Sequence, residues 1–488
     1  MAEKNLLLKT SSNLLWRLAE RCGATGVAFV VSMVLARLLA PEDYGLIALV
    51  TVFTTILQVF VDAGLGSALI QKKDADDLDF SSVFYFNIVF CLLLYGLLFL
   101  TAPYIARFYE KPELTALVRV LGLTVVISGV KGIQQAYVSR NLMFKKFFFA
   151  TLAGTIGAAG VGIWMALKGF GVWALVAQQL FNTVVDTAVL WLSIRWRPKK
   201  AFSLERLKQL FRYGWKLLVS GLINAVYEDL RQLIIGKMYT AENLAFYNKG
   251  QQFPMMIVQN INTSIDSVLL PVMSNVQDQR EQLKAMTRRA IVTSSFFMWP
   301  MMLGLAAVGE NLITFLLTEK WLPCIPFLYI FCFTCGLQPI HTANLNAIKS
   351  IGRSDLFLKM EIFKKTVGLV IILISMNYGV LAIGIGTAVY SIFASVVNTF
   401  PNRKLLDYRY FEQIKDILPS FILAFVMAAV VYCLPVRILP IWAQLLIQVL
   451  VGVAIYAAGS ALLKMEGYVY ARKIISALLT RKKNTDKE

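Results

Sequence analysis

Histidine is nearly absent: one residue, His341, in 488. A single imidazole excludes a histidine metal cluster and leaves little for imidazole acid–base catalysis. No Gly-x-x-x-x-Gly-Lys-Ser/Thr loop occurs, so transport driven by ATP hydrolysis within this chain is excluded. The six cysteines lie mainly in apolar stretches, and the one C-x-x-C, Cys332 and Cys335, has no histidine partners. That spacing implies neither a zinc site nor a redox motif, so no metal or cofactor is expected. Charge is also scarce, at 16% of residues against roughly 25% in soluble chains. Residues 1–12 carry Lys4 and Lys9 and lead directly into a long apolar run, which predicts no cleaved signal peptide.

What is present is hydrocarbon-compatible sequence, 58% of it hydrophobic. Apolar runs of about 20 residues recur, the length that crosses a bilayer core. Fourteen spans are predicted, at 14–39, 46–70, 83–106, 114–137, 147–167, 171–195, 215–237, 250–272, 290–309, 325–345, 357–377, 380–400, 416–434 and 441–463. If the loops alternate, one side holds 33 Lys and Arg and the other 7. Cytoplasmic loops carry the excess, so both termini are expected in the cytoplasm. The net charge of +19 follows from this bias and implies no nucleic-acid partner. All outer loops are short, which leaves no room for a catalytic domain outside the membrane. The protein is expected not to be an enzyme.

An internal repeat organises the chain. The hairpin at 13–71 has two apolar arms joined by Pro41-Glu42-Asp43-Tyr44-Gly45, read as a short polar turn. Adding 200 lays Ala36-Arg37 on Gly236-Lys237, Pro41-Glu42-Asp43 on Ala241-Glu242-Asn243, and 65–70 on 265–270. A shift of 208 lays Phe170-Gly171-Val172-Trp173-Ala174 on Tyr378-Gly379-Val380-Leu381-Ala382. Internal repeats are common in secondary transporters, with the substrate site at the repeat interface. The expected division is 1–195 for an N-terminal lobe of six spans and 215–400 for a C-terminal lobe of six. Residues 401–463 add two spans, and 464–488 form a basic cytoplasmic tail. The basic segment 196–214 has Phe202, Leu204, Leu207, Leu210 and Phe211 at helical spacing, and is expected to lie on the inner membrane surface between the lobes.

Ionisable residues inside spans are costly and usually face a bundle interior or a watery cavity. Arg17, Arg21, Lys131, Arg231 and Lys364 form a candidate cationic site for phosphate or pyrophosphate, where lysine acts as a point charge and arginine binds in a bidentate way. The competing reading is interhelical ion pairing. Asp62, Asp186 and Asp266 are candidates for coupling to protons or sodium, with polar packing the alternative. Glycines at 154, 157, 160 and 162 permit close helix contact.

Leu35-Ala36-Arg37-Leu38-Leu39-Ala40-Pro41-Glu42-Asp43-Tyr44-Gly45, Asp62-Ala63-Gly64-Leu65-Gly66 and Ile70-Gln71-Lys72-Lys73 resemble the opening signature of the polysaccharide transporters. Glu319-Lys320-Trp321-Leu322-Pro323-Cys324-Ile325-Pro326 resembles a further motif of that branch, which holds the Wzx-type exporters of the MOP superfamily. The resemblance covers essentially the whole chain. It implies an all-α fold of two pseudo-symmetric six-helix lobes, plus two C-terminal helices, around a central cavity. The activity it implies is the flipping of an undecaprenyl-pyrophosphate-linked oligosaccharide repeat unit across the bacterial inner membrane by alternating access. Membrane lipids and a glycan polymerase are the implied partners. Arg17 and Arg21 are the counterparts it offers for the cavity arginines of lipid II flippases. The rival readings are a MATE-like multidrug exporter, disfavoured because cationic drugs call for acids, and a membrane glycan polymerase or glycosyltransferase.

Overall fold

The computed structural model describes residues 23, 25–62, 65–72, 74–141, 143–435, 438–470 and 472. Arg17 and Arg21 fall outside these residues, and the side chains of Asp62 and Asp266 fall outside what is described. Among the described residues every regular element is a helix. The chain forms two compact units, Met1–Ala245 and Phe246–Glu488.

The first unit holds α1 (Thr25–Leu38), α2 (Pro41–Asp62), α3 (Leu65–Gln71), α4 (Asp77–Phe108), α5 (Leu114–Arg140), α6 (Phe144–Leu167), α7 (Val172–Ser193), α8 (Leu204–Met238) and the start of α9 (Ala241–Ser274). The second holds the rest of α9, then α10 (Arg280–Ala307), α11 (Gly309–Leu317), a 3-10 turn (Glu319–Cys324), α12 (Ile325–Gly336), α13 (Gln338–Ser350), α14 (Ser354–Ser375), α15 (Val380–Leu405), α16 (Tyr410–Cys433) and α17 (Ile441–Leu462). Ten stretches among the described residues are long and apolar enough to cross a membrane. Glu319–Ser350 counts as one of them, although the chain breaks there into α12 and α13, with Pro339 in the first turn of α13. Three more long helices fall short by composition. Charges interrupt α8 and α14, and Gln and Asn interrupt α9.

Two local expectations change. Pro41-Glu42-Asp43-Tyr44-Gly45 is the first part of α2, not a turn. Proline at the first helical position lacks only an N–H that would be unpaired anyway, and the two acids suit the positive helix end. Asp43 completes the cap, its carboxylate accepting the Ala40 N–H at 3.1 Å. The segment 196–214 does not end in a separate surface helix: α8 runs unbroken from Leu204. Its Leu207 and Leu210 are buried in the first unit's core, while Phe202, Leu204 and Phe211 stay exposed.

The repeat is visible in the backbone. Pro41 and Ala241, 200 residues apart, each begin a helix. Gly171 (φ 54) and Gly379 (φ 105), 208 apart, each hold the left-handed region just before a helix. The two related helix starts touch. A Cβ on Gly45 would lie 1.8 Å from the Ala241 carbonyl oxygen, so only glycine fits.

Polar stitches close each unit. At the start of α4, Asp76 and Asp79 form a reciprocal capping box. Asp79 is fully buried and accepts Lys72 Nζ at 2.6 Å. Trp196 Nε1 donates to Asp77 (3.1 Å), and the Lys199 and Ser203 N–H groups donate to Ser81 and Ser82 (2.9 Å each). In the second unit Asn344, Gln413, Asn402 and Thr399 form a buried knot across α13, α15 and α16. Asn344 donates to Gln413 at 2.7 Å, and Asn402 and Gln413 donate to Asn344 Oδ1 at 2.7 and 3.0 Å.

Asn344→Leu should lower stability by about 3 kcal/mol, because two buried amides lose their partners; a thermal melt in detergent measures it. The Asp79 N–H and neighbouring cations hold the Asp76 carboxyl below its usual range. A depressed carboxylate stabilises above its unfolded value, about 3.9, and that contribution is lost as pH falls through the lower folded value. Cleavage by an acid protease at 196–203 should therefore rise below about pH 4 and do so less steeply in Asp76→Asn.

Candidate functional site

The interior charges are assembled by close helix contact. On α6, a Cβ at Gly154 would meet Asn182 Oδ1 at 2.8 Å, and one at Gly157 would meet Phe181 at 2.7 Å. These glycines let α7 approach. Asp186 on α7 then meets Lys131 on α5, Oδ2 to Nζ 3.0 Å, with 16% of each side chain exposed. The residues predicted separately as a substrate cation and a coupling acid are thus partners of each other. In the second unit Lys364 is 7% exposed and donates to Glu361 Oε1, one helical turn away, at 2.5 Å. Arg231, on α8, lies with its guanidinium 5.9 Å from the Tyr227 ring centroid. Among the described residues no group of His, Cys, Asp and Glu could hold a metal ion.

Each pair joins a cation and an acid one hydrogen bond apart in a mostly dry setting. A carboxylate there lowers the cost of burying the lysine, and an incoming anion competes with it for the same ammonium. Protonating the acid releases the lysine. Two such pairs, one in each unit, can each exchange the carboxylate for a phosphate oxygen, and no charge is left uncompensated provided the displaced acid takes up a proton.

Other polar groups hold the frame. Lys111 pairs with Glu42 at 3.0 Å, and Lys237 pairs with Glu110 at 2.9 Å while donating to the Phe108 carbonyl at 2.6 Å. The Lys237 hydrogen bond keeps the exposed Glu110 carboxyl below its usual range. The stretch 35–45 is largely structural: Leu35, Ala36 and Leu39 are buried, Gly45 meets Ala241, and the Tyr44 hydroxyl donates to the Ser32 carbonyl at 3.2 Å.

Sequence reasoning missed two buried groups. Lys249, which is not among the predicted cations, is 5% exposed. Its Nζ lies 3.0 Å from Gln252 Oε1 and 5.6 Å from the ring of the fully buried Trp321. The signal was available, since Lys249 stands 200 residues after the core position Leu49. His341, set aside as one isolated imidazole, has Asn398 Nδ2 2.9 Å from Nδ1 and Ser391 Oγ 3.4 Å from Nε2.

The model of the family described as polysaccharide biosynthesis protein matches residues 34–326. The teichuronic acid biosynthesis protein TuaB of Bacillus subtilis is 28% identical over 62% of the chain, which spans 63% of that relative's length. The succinoglycan biosynthesis transport protein ExoT of Rhizobium meliloti is 25% identical over 70% of the chain and 69% of its own. The lipopolysaccharide biosynthesis protein WzxC of Escherichia coli is 24% identical over 84% and 82%. In fold, the lipid II flippase MurJ in its inward closed conformation aligns over 95% of this chain and all of its own, with TM-score 0.75 and 16% identity. An inward-facing multidrug resistance MATE family transporter of the MOP superfamily aligns over 80% and 98%, with TM-score 0.61 and 16% identity. With this all-helical multi-pass fold, the chain belongs to the polysaccharide biosynthesis protein family.

Proposed function

We propose that the protein flips an undecaprenyl-pyrophosphate-linked oligosaccharide repeat unit from the cytoplasmic to the outer leaflet by alternating access. The observation that carries this reading is the pair of partly buried lysine–carboxylate contacts, Lys131–Asp186 and Lys364–Glu361, one in each unit of a polysaccharide-family chain. A pyrophosphate is a compact double anion, and a lysine already desolvated and neutralised by a carboxylate binds it by partner exchange. The names of the relatives supply the cargo class: teichuronic acid, succinoglycan and lipopolysaccharide are glycans, and MurJ is a lipid II flippase. Arg17, Arg21 and Arg231 complete the proposed cationic set, and Asp62, Asp186 and Asp266 remain the proposed acids for coupling to protons or sodium. The 33-to-7 bias of Lys and Arg supports cytoplasmic termini in a bacterial inner membrane. A glycan polymerase taking the unit on the outer side is the proposed partner.

The test uses a strain lacking this protein, with the enzymes that build the glycan intact. A complete lipid-linked repeat unit trapped on the cytoplasmic leaflet is the expected result, and mass spectrometry then identifies the sugar. Unpolymerised units on the outer leaflet would overturn the reading in favour of a polymerase. Unchanged lipid-linked saccharides would favour a drug exporter.

A charge swap separates substrate contact from mere packing. Lys131→Asp alone should cut export at least about tenfold and lower stability by about 2 kcal/mol, since two acids then face each other where little solvent reaches. Adding Asp186→Lys should restore the melting temperature. Export should stay low in the swapped protein, because the ammonium has moved from α5 to α7; recovery of wild-type export would reduce the pair to a structural brace.

A further inference from the structure

The one histidine sits at the best-built polar site of the second unit that the flipping mechanism leaves unused. His341 lies on α13. Asn398 Nδ2 donates to Nδ1 at 2.9 Å, so Nδ1 is bare and the ring proton resides on Nε2, which faces Ser391 Oγ at 3.4 Å. Asn398 is 1% exposed and Ser391 5%. The Asn398 carbonyl oxygen Oδ1 is also buried, and it has no hydrogen-bond partner. Such an orphan is costly, and a carboxamide turned over by half a rotation exchanges its donor for its acceptor. In that orientation Oδ1 meets Nδ1 and accepts a proton from it. One residue therefore serves the imidazole in both charge states.

Helices α10, α12, α14 and α15 pack against α13, and α16 reaches it through Gln413 on Asn344, with the α16 carboxylate of Asp416 held by Arg288 and the Tyr408 hydroxyl. Charge reaches the imidazole from α14, through Lys364, whose ammonium is held by Glu361. The α15 groups on the ring, Ser391 and Asn398, are neutral. Neither the apolar part of α10, residues 290–307, nor α12 carries a charged side chain, and α12 adds Cys332 and Cys335 only as thiols. A proton on His341 thus places a second cation near Lys364, whose own partner is the Glu361 carboxylate. An anion bound at Lys364 relieves that repulsion, so proton and anion favour each other's binding, and the linkage is reciprocal.

We propose that His341 is a proton-binding site linked to anion binding at Lys364, held neutral by the Asn398 amide and charged against its carbonyl. The proposal rests on the transport reading for its use, but proton binding itself is measured without substrate. Because the chain has a single histidine, 15N-histidine labelling of the full protein in detergent yields one imidazole. At high pH its nitrogens should report the Nε2–H tautomer, and acidification should add a proton to Nδ1 reversibly while the chain stays folded. Lys364→Gln should raise the midpoint by about one pH unit, a tenfold gain in proton affinity, and Asn398→Leu should lower it by about as much. An imidazole that stays neutral over the whole folded range, or a midpoint unmoved by both variants, would overturn the proposal. In proteoliposomes bearing lipid-linked saccharide extracted from the deletion strain, His341→Gln should abolish the response of flipping to an imposed pH gradient; a wild-type response would likewise overturn the link to transport. Wild-type vesicles that flip nothing would sink the transport reading, while the nitrogen titration still decides whether His341 takes the proton.

Discussion

Hydrocarbon offers no water to a buried ammonium, so each lysine in the interior must find its acceptor within the protein. The paired sites follow from that demand. Lys131 is held by Asp186 across two helices, Lys364 by Glu361 within one, and Lys249 by Gln252 beside the Trp321 ring. Neutral groups obey the same rule. In the knot of Asn344, Gln413 and Asn402, the Asn344 and Gln413 amides exchange hydrogen bonds and the Asn402 amide donates to Asn344 Oδ1. The backbone adapts to these contacts, with Gly154 thinning α6 so that α7 can carry Asp186 up to Lys131.

The helix pattern was legible because apolar runs of spanning length admit few other structures. The repeat was legible at its punctuation: Pro41 and Ala241 as helix starts, Gly171 and Gly379 as left-handed residues before helices. The polar hairpin turn was misread, although an acid-rich stretch opening on proline is itself a helix-start signal. The pairing of Lys131 with Asp186 was out of reach, since their side chains meet across 55 residues and only the register of α5 on α7 decides it. Glu361 and Lys364 were within reach, being three apart on one helix, yet the sequence does not say that a lysine so placed is nearly sealed from solvent. The continuity of α8 was hidden because a basic amphipathic stretch and the charged helix after it look like two objects. One hydrogen-bonded helix of 35 residues accommodates both.

Duplication explains why the family signature is so compact. The stretch 35–45 supplies a helix end, a capped helix start and a glycine on which a related helix start can sit. Glu319-Lys320-Trp321-Leu322-Pro323 does comparable work in the second unit, burying Trp321 against Phe246 and under Lys249. Both motifs mark a fold that many cargoes can share, and neither names the glycan. Specificity then falls to interior side chains that vary without disturbing those joints.

The two units differ in how their related helices are bridged. Shifting Lys131 and Asp186 by 208 leads to Pro339 and Ala394, within a few residues of His341 and Asn398. The first unit thus bridges α5 to α7 with a fixed charge pair, while the second bridges the related α13 to α15 with a neutral imidazole and an amide. The imidazole brace differs in kind, because the Asn398 carboxamide can face it as donor or as acceptor. If His341 takes a proton as proposed, the second brace differs from the first in being able to change charge beside Lys364, which a fixed lysine–carboxylate contact cannot do without losing its partner.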